Sequence, residues 1–298
     1  MSEWFDRRAG LAGSVAVVTG GAGGLGGAIS RDLAANGVRV AAIDIDEEVV
    51  DTLSAELGAD GLIWHGDVRD QDRLAALLHA VDERWGRLDT LVNVPGGTFT
   101  AMFVETTPKG WEALIRLNLT QVLHACSLAV PRMQAGGRGG SIINLTTIEC
   151  HRAAPGYAVY SAAKAAVEQF GRTLAVEVAP DRIRVNNVAP DYTPTPNMLR
   201  IAALSNAPKS ALSSGVSIPM GRGGEVTDVS GCVVFLASEL SSYVTGSTLH
   251  PDGGTYASSG WFNWPDEGWR NGLPDQVERD LRFRTTGDPD GPPSPTSR

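Results

Sequence analysis

Cysteine is scarce in this sequence, and no long apolar run is present. Three of the 298 residues are cysteine, at positions 126, 150 and 232. An odd number of widely spaced cysteines argues against a disulfide framework or a CxxC metal site and is typical of a reducing compartment. No run approaches the roughly 20 apolar residues that cross a bilayer, and the start MSEWFDRRAG lacks a signal-peptide core. We therefore expect a soluble, cytoplasmic protein without a membrane partner.

Positive charge is also in short supply. Acidic residues outnumber basic ones 34 to 25, which gives a net charge of −9. No Lys/Arg cluster is available to follow a phosphate backbone, so nucleic acid is not an expected partner. Metal-ligand spacing such as HxxxH is missing as well, so no metal site is predicted. The histidines concerned are His65, His79, His124, His151 and His250.

What the sequence does have is an alternation of short β-branched runs with longer alanine- and leucine-rich runs. This alternation is typical of a parallel sheet covered by helices, a doubly wound α/β fold in a single domain. Seven strands are predicted, at 15–19, 38–44, 61–66, 88–93, 141–146, 183–189 and 247–250. Helices are predicted around 25–36, 70–85, 108–134, 157–179 and 226–237.

Two regions depart from the alternation. Residues 190–220 are rich in proline and are predicted to be a long connection that acts as a substrate lid. Beyond residue 254 the sequence carries several tryptophans and then ends in GDPDGPPSPTSR, a composition that does not bury enough to fold. We expect one domain over 1–254, including the lid, and an aromatic extension over 255–298 with a disordered end.

The segment VAVVTGGAGGLGGAI runs from a strand into a helix through six glycines. Small residues at this point let the backbone approach a diphosphate, and the helix N-terminus favours its charge. Two registers fit: Gly21, Gly23 and Gly26 match GxGxxG, whereas Gly20, Gly24 and Gly26 match TGxxxGxG from Thr19. A glycine pattern alone can also be a structural turn.

Acidic residues end the next two strands. Asp44 lies 44 − 26 = 18 residues after the last glycine, where a carboxylate accepts hydrogen bonds from an adenosine ribose and repels a 2′-phosphate. This position favours NAD over NADP, although Asp44 could also only cap its strand. Asp67 follows the third strand and is expected near the adenine edge, together with the backbone of Val68.

Tyr160 and Lys164 lie four residues apart in YSAAK, so their side chains share one helix face. Tyrosine–lysine pairs at this spacing are also common on solvated surface helices. Here, however, the pair follows a glycine loop and an acidic strand end. With these motifs in order, residues 11–254 resemble the classical short-chain dehydrogenase/reductase family. The resemblance implies a Rossmann-like fold with a seven-stranded sheet, and it selects the TGxxxGxG register.

The resemblance also implies a catalytic set. Tyr160 corresponds to the general acid/base, Lys164 to its electrostatic partner, and Asn118 in RLNLT to the asparagine of the proton relay. The family serine would lie at 160 − 13 = 147, where this chain has Thr147. Threonine keeps the hydroxyl that must meet the substrate oxygen, while its methyl group stiffens the side chain. Thr146 is a weaker candidate, expected to point to the opposite face.

Other family motifs are only partly kept. The family NNAG reads Asn93-Val94-Pro95-Gly96, and the family Pro-Gly reads Pro190-Asp191. Proline and the lost glycine both restrict the backbone beside the cofactor. The cofactor residues that the resemblance implies are Gly20, Gly24, Leu25, Gly26, Asp44, Asp67, Val68, Asn93, Gly96, Tyr160, Lys164, Pro190, Thr193 and Thr195.

The sequence thus predicts an NAD-dependent enzyme that interconverts a secondary alcohol and a ketone. An NADPH-dependent ketoacyl-type reductase is the alternative among enzymes, and a non-catalytic NAD-binding sensor or partner subunit is the alternative outside them. Among the apolar residues of the predicted lid are Met198, Leu199, Ile201, Leu204 and Leu212. They either cover a lipophilic substrate, such as a steroid- or terpenoid-like alcohol, or only pack the lid onto the domain. The resemblance implies a homodimer or homotetramer formed through the helices at 108–134 and 157–179. Glu149 and His151 either line the substrate pocket or are ordinary polar loop residues.

Overall fold

The computed structural model describes residues 3–195 and 215–286. Over these residues the chain forms two compact units, one within Met1–Asn206 and Gly224–Asp252, the other within Ala207–Gly223 and Gly253–Arg298. The apolar residues predicted for the lid lie outside the described residues, as does the segment 287–298 predicted to be disordered.

A single parallel sheet organises the first unit. Within the described residues it has seven strands in the order β3-β2-β1-β4-β5-β6-β7, which confirms the predicted doubly wound α/β fold. The strands are β1 Val15–Thr19, β2 Arg39–Asp44, β3 Leu62–His65, β4 Thr90–Asn93, β5 Gly140–Leu145, β6 Ile183–Val188 and β7 Thr248–Leu249. The chain order reverses between β1 and β4, so their carboxyl ends frame the crevice where such sheets bind ligands.

Helices cover both faces of the sheet. They are α1 Glu3–Ala9, α2 Gly24–Ala35, α3 Glu47–Leu57, α4 Gln71–Trp85, α5 Pro108–Ile115, α6 Gln121–Gly136, α7 Ala158–Val178 and α8 Val226–Ala237. Helices α1 and α3 were not predicted from the sequence. In α3 only Val50 and Leu53 are buried, so its apolar pattern is weak. Asp46 nevertheless caps its start by accepting a hydrogen bond from the Glu48 amide.

The core has one layer on each side of the sheet. Successive residues of β1 alternate between them: Val15 and Val17 pack with α4, α6 and α7, whereas Ala16 and Val18 pack with α2, α3 and α8. All five residues of β1 are buried, as expected for a central parallel strand. This two-sided burial holds the carboxyl end of β1 in place.

The helical stretch Pro108–Gly136 is long and apolar enough to cross a membrane by length and composition alone. Its α6 side chains Ala125, Ala129 and Met133 instead pack into the core beside α4 and α7, as those of a buried core helix do. A π-helical turn, Arg116–Thr120, separates α5 from α6. Such insertions are frequent at functional sites, and this one contains Asn118.

The second unit contains a short antiparallel hairpin. Its strands are β8 Phe262–Trp264 and β9 Gly268–Arg270, preceded by α9 Thr255–Ser258 and followed by α10 Asp275–Thr286. The Trp264 indole donates a hydrogen bond to the Gly272 carbonyl at 3.0 Å. Arg270 pairs with Glu267 and with Asp275, so part of the aromatic extension has a defined local structure.

Candidate active site

The glycine loop follows β1 directly. Gly20 and Gly24 have φ values of +60° and +51°, a region that disfavours residues with a Cβ. A Cβ on Gly26 would lie 1.8 Å from the Gly20 carbonyl oxygen, so only glycine fits where α2 begins. These constraints fall on the residues of the TGxxxGxG register. Leu25, between them, packs on the α2 side of the core.

Asp44 reaches into this loop from the end of β2. Its Oδ2 accepts hydrogen bonds from the backbone amides of Ala22 at 3.1 Å and Gly23 at 3.3 Å. A carboxylate is therefore hydrogen-bonded to two backbone amides of the glycine loop. Negative charge at this point opposes a second anion such as a 2′-phosphate.

Asp67, after β3, has a strong partner of its own. The Arg69 guanidinium makes a bidentate ion pair with its carboxylate, with Nη2 at 2.6 Å from Oδ2. The pKa of the Asp67 carboxyl is lowered, chiefly by the hydrogen bond from Arg69, so this carboxyl is ionised at neutral pH. Val68 is buried. Sequence reasoning had not identified the role of Arg69, although its spacing of two residues from Asp67 is a usable signal.

The segment 93–96 forms the wall opposite the glycine loop. The Val94 amide donates to the Thr19 carbonyl at 3.3 Å, and a Cβ on Gly20 would lie 2.9 Å from Cγ of Pro95. A Cβ on Gly96 would lie 2.8 Å from Lys164 Nζ. The proline thus packs on the glycine loop, and Gly96 makes room for the lysine.

Asn93 belongs to a buried row of side-chain amides across the sheet. Its Nδ2 donates to Asn144 Oδ1 at 2.9 Å, and Asn144 Nδ2 donates to Asn187 Oδ1 at 3.3 Å. Cys126 lies beside the row, 3.6 Å from Asn93 Nδ2. Asn93 therefore joins strands β4, β5 and β6 beneath the crevice rather than lining it openly.

Asn118 is fully buried in the π-helical turn. Its Oδ1 accepts from the Gly97 amide at 3.1 Å, and its Nδ2 donates to the carbonyls of Gly97 and Leu114, both at 2.9 Å. These bonds hold the loop after β4 against the start of α6. Both N–H donors of the side chain are thereby used within the protein.

Lys164 and Tyr160 lie one turn apart on α7. Lys164 Nζ donates to the Leu145 carbonyl at 2.8 Å and to the Pro95 carbonyl at 3.2 Å. Burial lowers the pKa of Lys164 to about 8. The lysine is thus buried between the ends of β4 and β5, which excludes the alternative of a solvated surface pair.

The pKa of Tyr160 is raised in this structure. Burial is the main cause of the rise of this pKa to about 12, a hydrogen bond with the Thr147 side chain partly offsets it, and the charge of Glu149 adds a smaller contribution to the rise. Desolvation of the phenolate is thus the dominant effect on the pKa of this group.

Thr147 stands beside Tyr160, just after β5. Its side chain hydrogen-bonds Tyr160, and its Oγ1 also caps the turn Ile148–Cys150 by accepting from the Glu149 amide at 3.3 Å. Thr146 instead donates to the Val188 carbonyl at 3.3 Å, an interaction within the sheet. Of the two threonines, Thr147 is the one next to the tyrosine.

The segment after β6 also reaches the glycine loop. Pro190 is buried, and its carbonyl accepts from the Ile148 amide at 3.2 Å. Thr193 is buried, and its Oγ1 donates to the Asp191 carbonyl at 3.1 Å. The Thr195 methyl carbon would lie 3.3 Å from a Cβ on Gly24. Of the two threonines, Thr195 is thus the one shown next to the glycine loop.

The crevice fits a nicotinamide dinucleotide at each part described. The glycine loop leaves a cradle that a Cβ would fill; a dinucleotide held there would have Asp44 at its adenosine end and Lys164 and Tyr160 at its opposite end. Across residues 3–195 and 215–286, no group of three or more His, Cys, Asp or Glu side chains could hold a metal ion.

Comparisons with known proteins agree on the family. The model of the family described as enoyl-(acyl carrier protein) reductase matches residues 20–256. The chain is 38% identical to the 3-oxoacyl-(acyl-carrier-protein) reductase FabG of Thermotoga maritima, over 82% of this chain and 98% of that protein. It is 35% identical to the 2,5-dichloro-2,5-cyclohexadiene-1,4-diol dehydrogenase LinX of Sphingobium indicum, over 82% and 96% of the two chains.

Solved structures give the same result. The crystal structure of levodione reductase is similar with a TM-score of 0.77 and 28% identity, covering 83% of this chain and 98% of that one. A short-chain type dehydrogenase/reductase from Mycobacterium marinum has a TM-score of 0.75 and 29% identity, covering 82% and 96%. The chain therefore belongs to the short-chain dehydrogenase/reductase family of oxidoreductases, which bind a nicotinamide cofactor and act on small molecules.

Proposed function

We propose that this protein is an NAD(H)-dependent oxidoreductase that interconverts a secondary alcohol and a ketone. The observation that carries the proposal is the convergence of Tyr160, Thr147 and Lys164 beside the glycine loop. When bound, NAD would supply the carbon that accepts or donates hydride. The other proposed cofactor contacts are the residues that the family resemblance implies for the glycine loop and the strand ends.

Each catalytic side chain has a proposed task. The Tyr160 phenolate accepts the alcohol proton in oxidation, and the Tyr160 hydroxyl donates a proton to the ketone oxygen in reduction, as a general acid/base must. The Thr147 hydroxyl hydrogen-bonds the substrate oxygen and the tyrosine, which keeps the two reacting groups in line. Lys164, bonded to two carbonyls, places positive charge near Tyr160 and has a third N–H for the cofactor ribose. Asn118 secures the π-helical turn from which a proton relay leaves the site.

NAD is preferred in this proposal because of Asp44. Its carboxylate lies on the glycine-loop amides, where a 2′-phosphate would meet like charge. The alternative is an NADPH-dependent ketoacyl-type reductase, and the relationship to FabG of Thermotoga maritima favours it. The relationship to LinX, a diol dehydrogenase by its name, favours an alcohol substrate.

A non-catalytic NAD-binding sensor or partner subunit is the second alternative. The altered NVPG and Pro190-Asp191 segments favour it. The buried and hydrogen-bonded lysine opposes it, because burying an ammonium group costs free energy that a pure binding module need not spend. We therefore prefer the enzyme to the non-catalytic alternative.

The remaining proposals concern the location, the oligomeric state and the substrate polarity of the enzyme. A cytoplasmic homodimer or homotetramer fits the family, with α5, α6 and α7 as the contact helices. Val176 on α7 and Ile115 on α5 are exposed, as side chains at such an interface would be in the separated chain. Light scattering of the purified protein measures this directly. A lipophilic substrate remains a prediction.

The test of the function is a pair of titrations. NADH and NADPH are added to the purified protein while nicotinamide fluorescence is followed, and a panel of cyclic and acyclic ketones is then added to each complex. Tight NADH binding with ketone-dependent loss of NADH absorbance is the expected result. Turnover with NADPH alone would favour the ketoacyl-type alternative, and binding without turnover would favour the sensor.

A further inference from the structure

A charged bridge lies near Thr147, between the loop after β5 and the loop after β6. The Arg152 guanidinium donates from Nη2 to Glu149 Oε1 at 2.8 Å and to Asp191 Oδ1 at 3.3 Å, and from Nε to Glu149 Oε2 at 3.3 Å. One arginine thus joins the loop after β5 to the loop after β6. The backbone bond from Ile148 to Pro190 ties the same two loops together.

The bridge is close to the reacting groups. Glu149 is two residues from Thr147, and its charge acts on the Tyr160 hydroxyl. Asp191 stands where the family has a glycine, so its carboxylate is an addition of this chain. Both carboxylates are largely covered, with side chains 21% and 16% exposed, whereas Arg152 is 39% exposed.

The chemistry of the bridge restricts what can bind. Glu149 and Asp191 set two carboxylates against the one guanidinium of Arg152. The net negative charge of the bridge repels an additional anion that binds beside it. The bonds in the described part of the chain use Nε and Nη2 of Arg152, so the Nη1 donors are available to a neutral oxygen.

We propose that the Glu149–Arg152–Asp191 bridge determines specificity and selects a neutral substrate with a second oxygen, either hydroxyl or carbonyl, besides the reacting one. This inference rests on the proposed function, since it concerns the alcohol or ketone handled by Tyr160. Because two carboxylates fix the planar guanidinium, it can donate without losing further side-chain freedom. The rest of the substrate can still be apolar, so a lipophilic skeleton is compatible.

The test compares matched ketones with the full-length protein. Cyclohexanone carries one oxygen, 2-hydroxycyclohexanone and cyclohexane-1,4-dione carry a second neutral oxygen, and 4-oxocyclohexanecarboxylate carries an anion. Both kcat/KM with NADH and, by saturation-transfer NMR, binding to the complex with NAD, where no hydride is available, are measured. We expect a preference of about tenfold or more for the dioxygenated ketones over cyclohexanone, as for a hydrogen bond to a charged group.

Variants identify the source of the preference. Arg152→Lys keeps the charge but loses the planar fork, and Asp191→Gly removes one anchor; both are expected to reduce the preference to about threefold or less. Arg31→Gln, in a surface pair with Glu56, is the matched control. Equal binding and equal kcat/KM for all neutral ketones in the wild type would overturn the inference, as would tighter binding of the carboxylate.

The two proposals fail separately. Turnover without preference would leave the oxidoreductase in place and remove the specificity role of the bridge. A binding preference that disappears in Arg152→Lys, without turnover of any ketone, would support the bridge and contradict the proposed reaction.

Discussion

Lys164 Nζ lies 2.8 Å from the backbone carbonyl oxygen of Leu145, the last residue of β5. A second carbonyl, that of Pro95, lies 3.2 Å away. Two bonds to neutral dipoles hold the ammonium group in the crevice, and no carboxylate among residues 3–195 and 215–286 forms an ion pair with it. This explains how the lysine can be buried, have a lowered pKa and still act electrostatically on what binds there.

Lys164 should make the stability of the protein depend on pH. Its pKa is about 8 in the folded protein and 10.5 when unperturbed. The unfolded chain therefore binds more protons between these values, and stability rises with pH in that window. Relative to Lys164→Met, the wild type should gain about 1–2 kcal/mol between about pH 7.5 and 9.5.

Urea unfolding of both proteins across this pH range measures the difference. Taking the difference removes the opposing contributions of other groups that titrate at high pH. If the difference in the free energy of unfolding stayed constant from neutral to alkaline pH, the pKa of Lys164 would not be lowered in the folded protein.

Gly96 should tolerate no side chain. A Cβ there would lie 2.8 Å from Lys164 Nζ and 3.1 Å from Asn118 Oδ1. We expect Gly96→Ala to displace the lysine and to lower kcat/KM by about 100-fold, since small misplacements at a reacting site have effects of this size. Gly231→Ala, in α8 with open space around it, is the control and should leave kcat/KM unchanged. Equal activity of the two variants would contradict the geometry.

Asp44 should decide between the two cofactors. Asp44→Asn keeps a hydrogen-bond acceptor near the Ala22 and Gly23 amides but removes the charge. The ratio of kcat/KM for NADH to that for NADPH should fall by about tenfold or more, because the repulsion of a 2′-phosphate is lost. Asp46→Asn removes an equal charge two residues away, at the cap of α3, where asparagine caps as well. A similar fall in both variants would indicate a general charge effect instead.

The hydroxyl of Thr147, rather than its methyl group, should matter for activity. Thr147→Ser restores the family residue and is expected to stay within about threefold of wild type, while Thr147→Val should lose about 100-fold in kcat, as when a hydrogen-bond donor to a reacting oxygen is removed. Thr146→Val is the comparison, since Thr146 bonds the Val188 carbonyl. Loss of activity in Thr146→Val but not in Thr147→Val would reverse the assignment.

The fold was largely predictable because the central strands are buried on both faces. The VAVVT and RVAAID segments are short, β-branched runs between glycine-rich and acidic ends, and they became β1 and β2 with nearly the expected bounds. Helix α3 was missed because only Val50 and Leu53 face the core. Its start at Asp46 was readable as a cap, but periodicity alone was too weak.

The candidate site was predictable where motifs define it and unpredictable where backbone groups do. The spacing of Tyr160 and Lys164 and the glycine register identified the helix and the loop. The carbonyls of Leu145 and Pro95 that hold Lys164 carry no side-chain signal. Contacts between distant loops, such as Arg152 with Asp191, depend on the strand order and do not follow from spacing.

The most direct measurement compares wild type with Tyr160→Phe for NADH binding and for ketone-dependent NADH oxidation under the same conditions. The account predicts that both proteins bind NADH with Kd values within about threefold of each other, whereas kcat falls by about 1,000-fold in the variant, within the range for loss of a general acid/base. Equal turnover in the two proteins would contradict the assignment of Tyr160 and, with it, the proposed reaction mechanism.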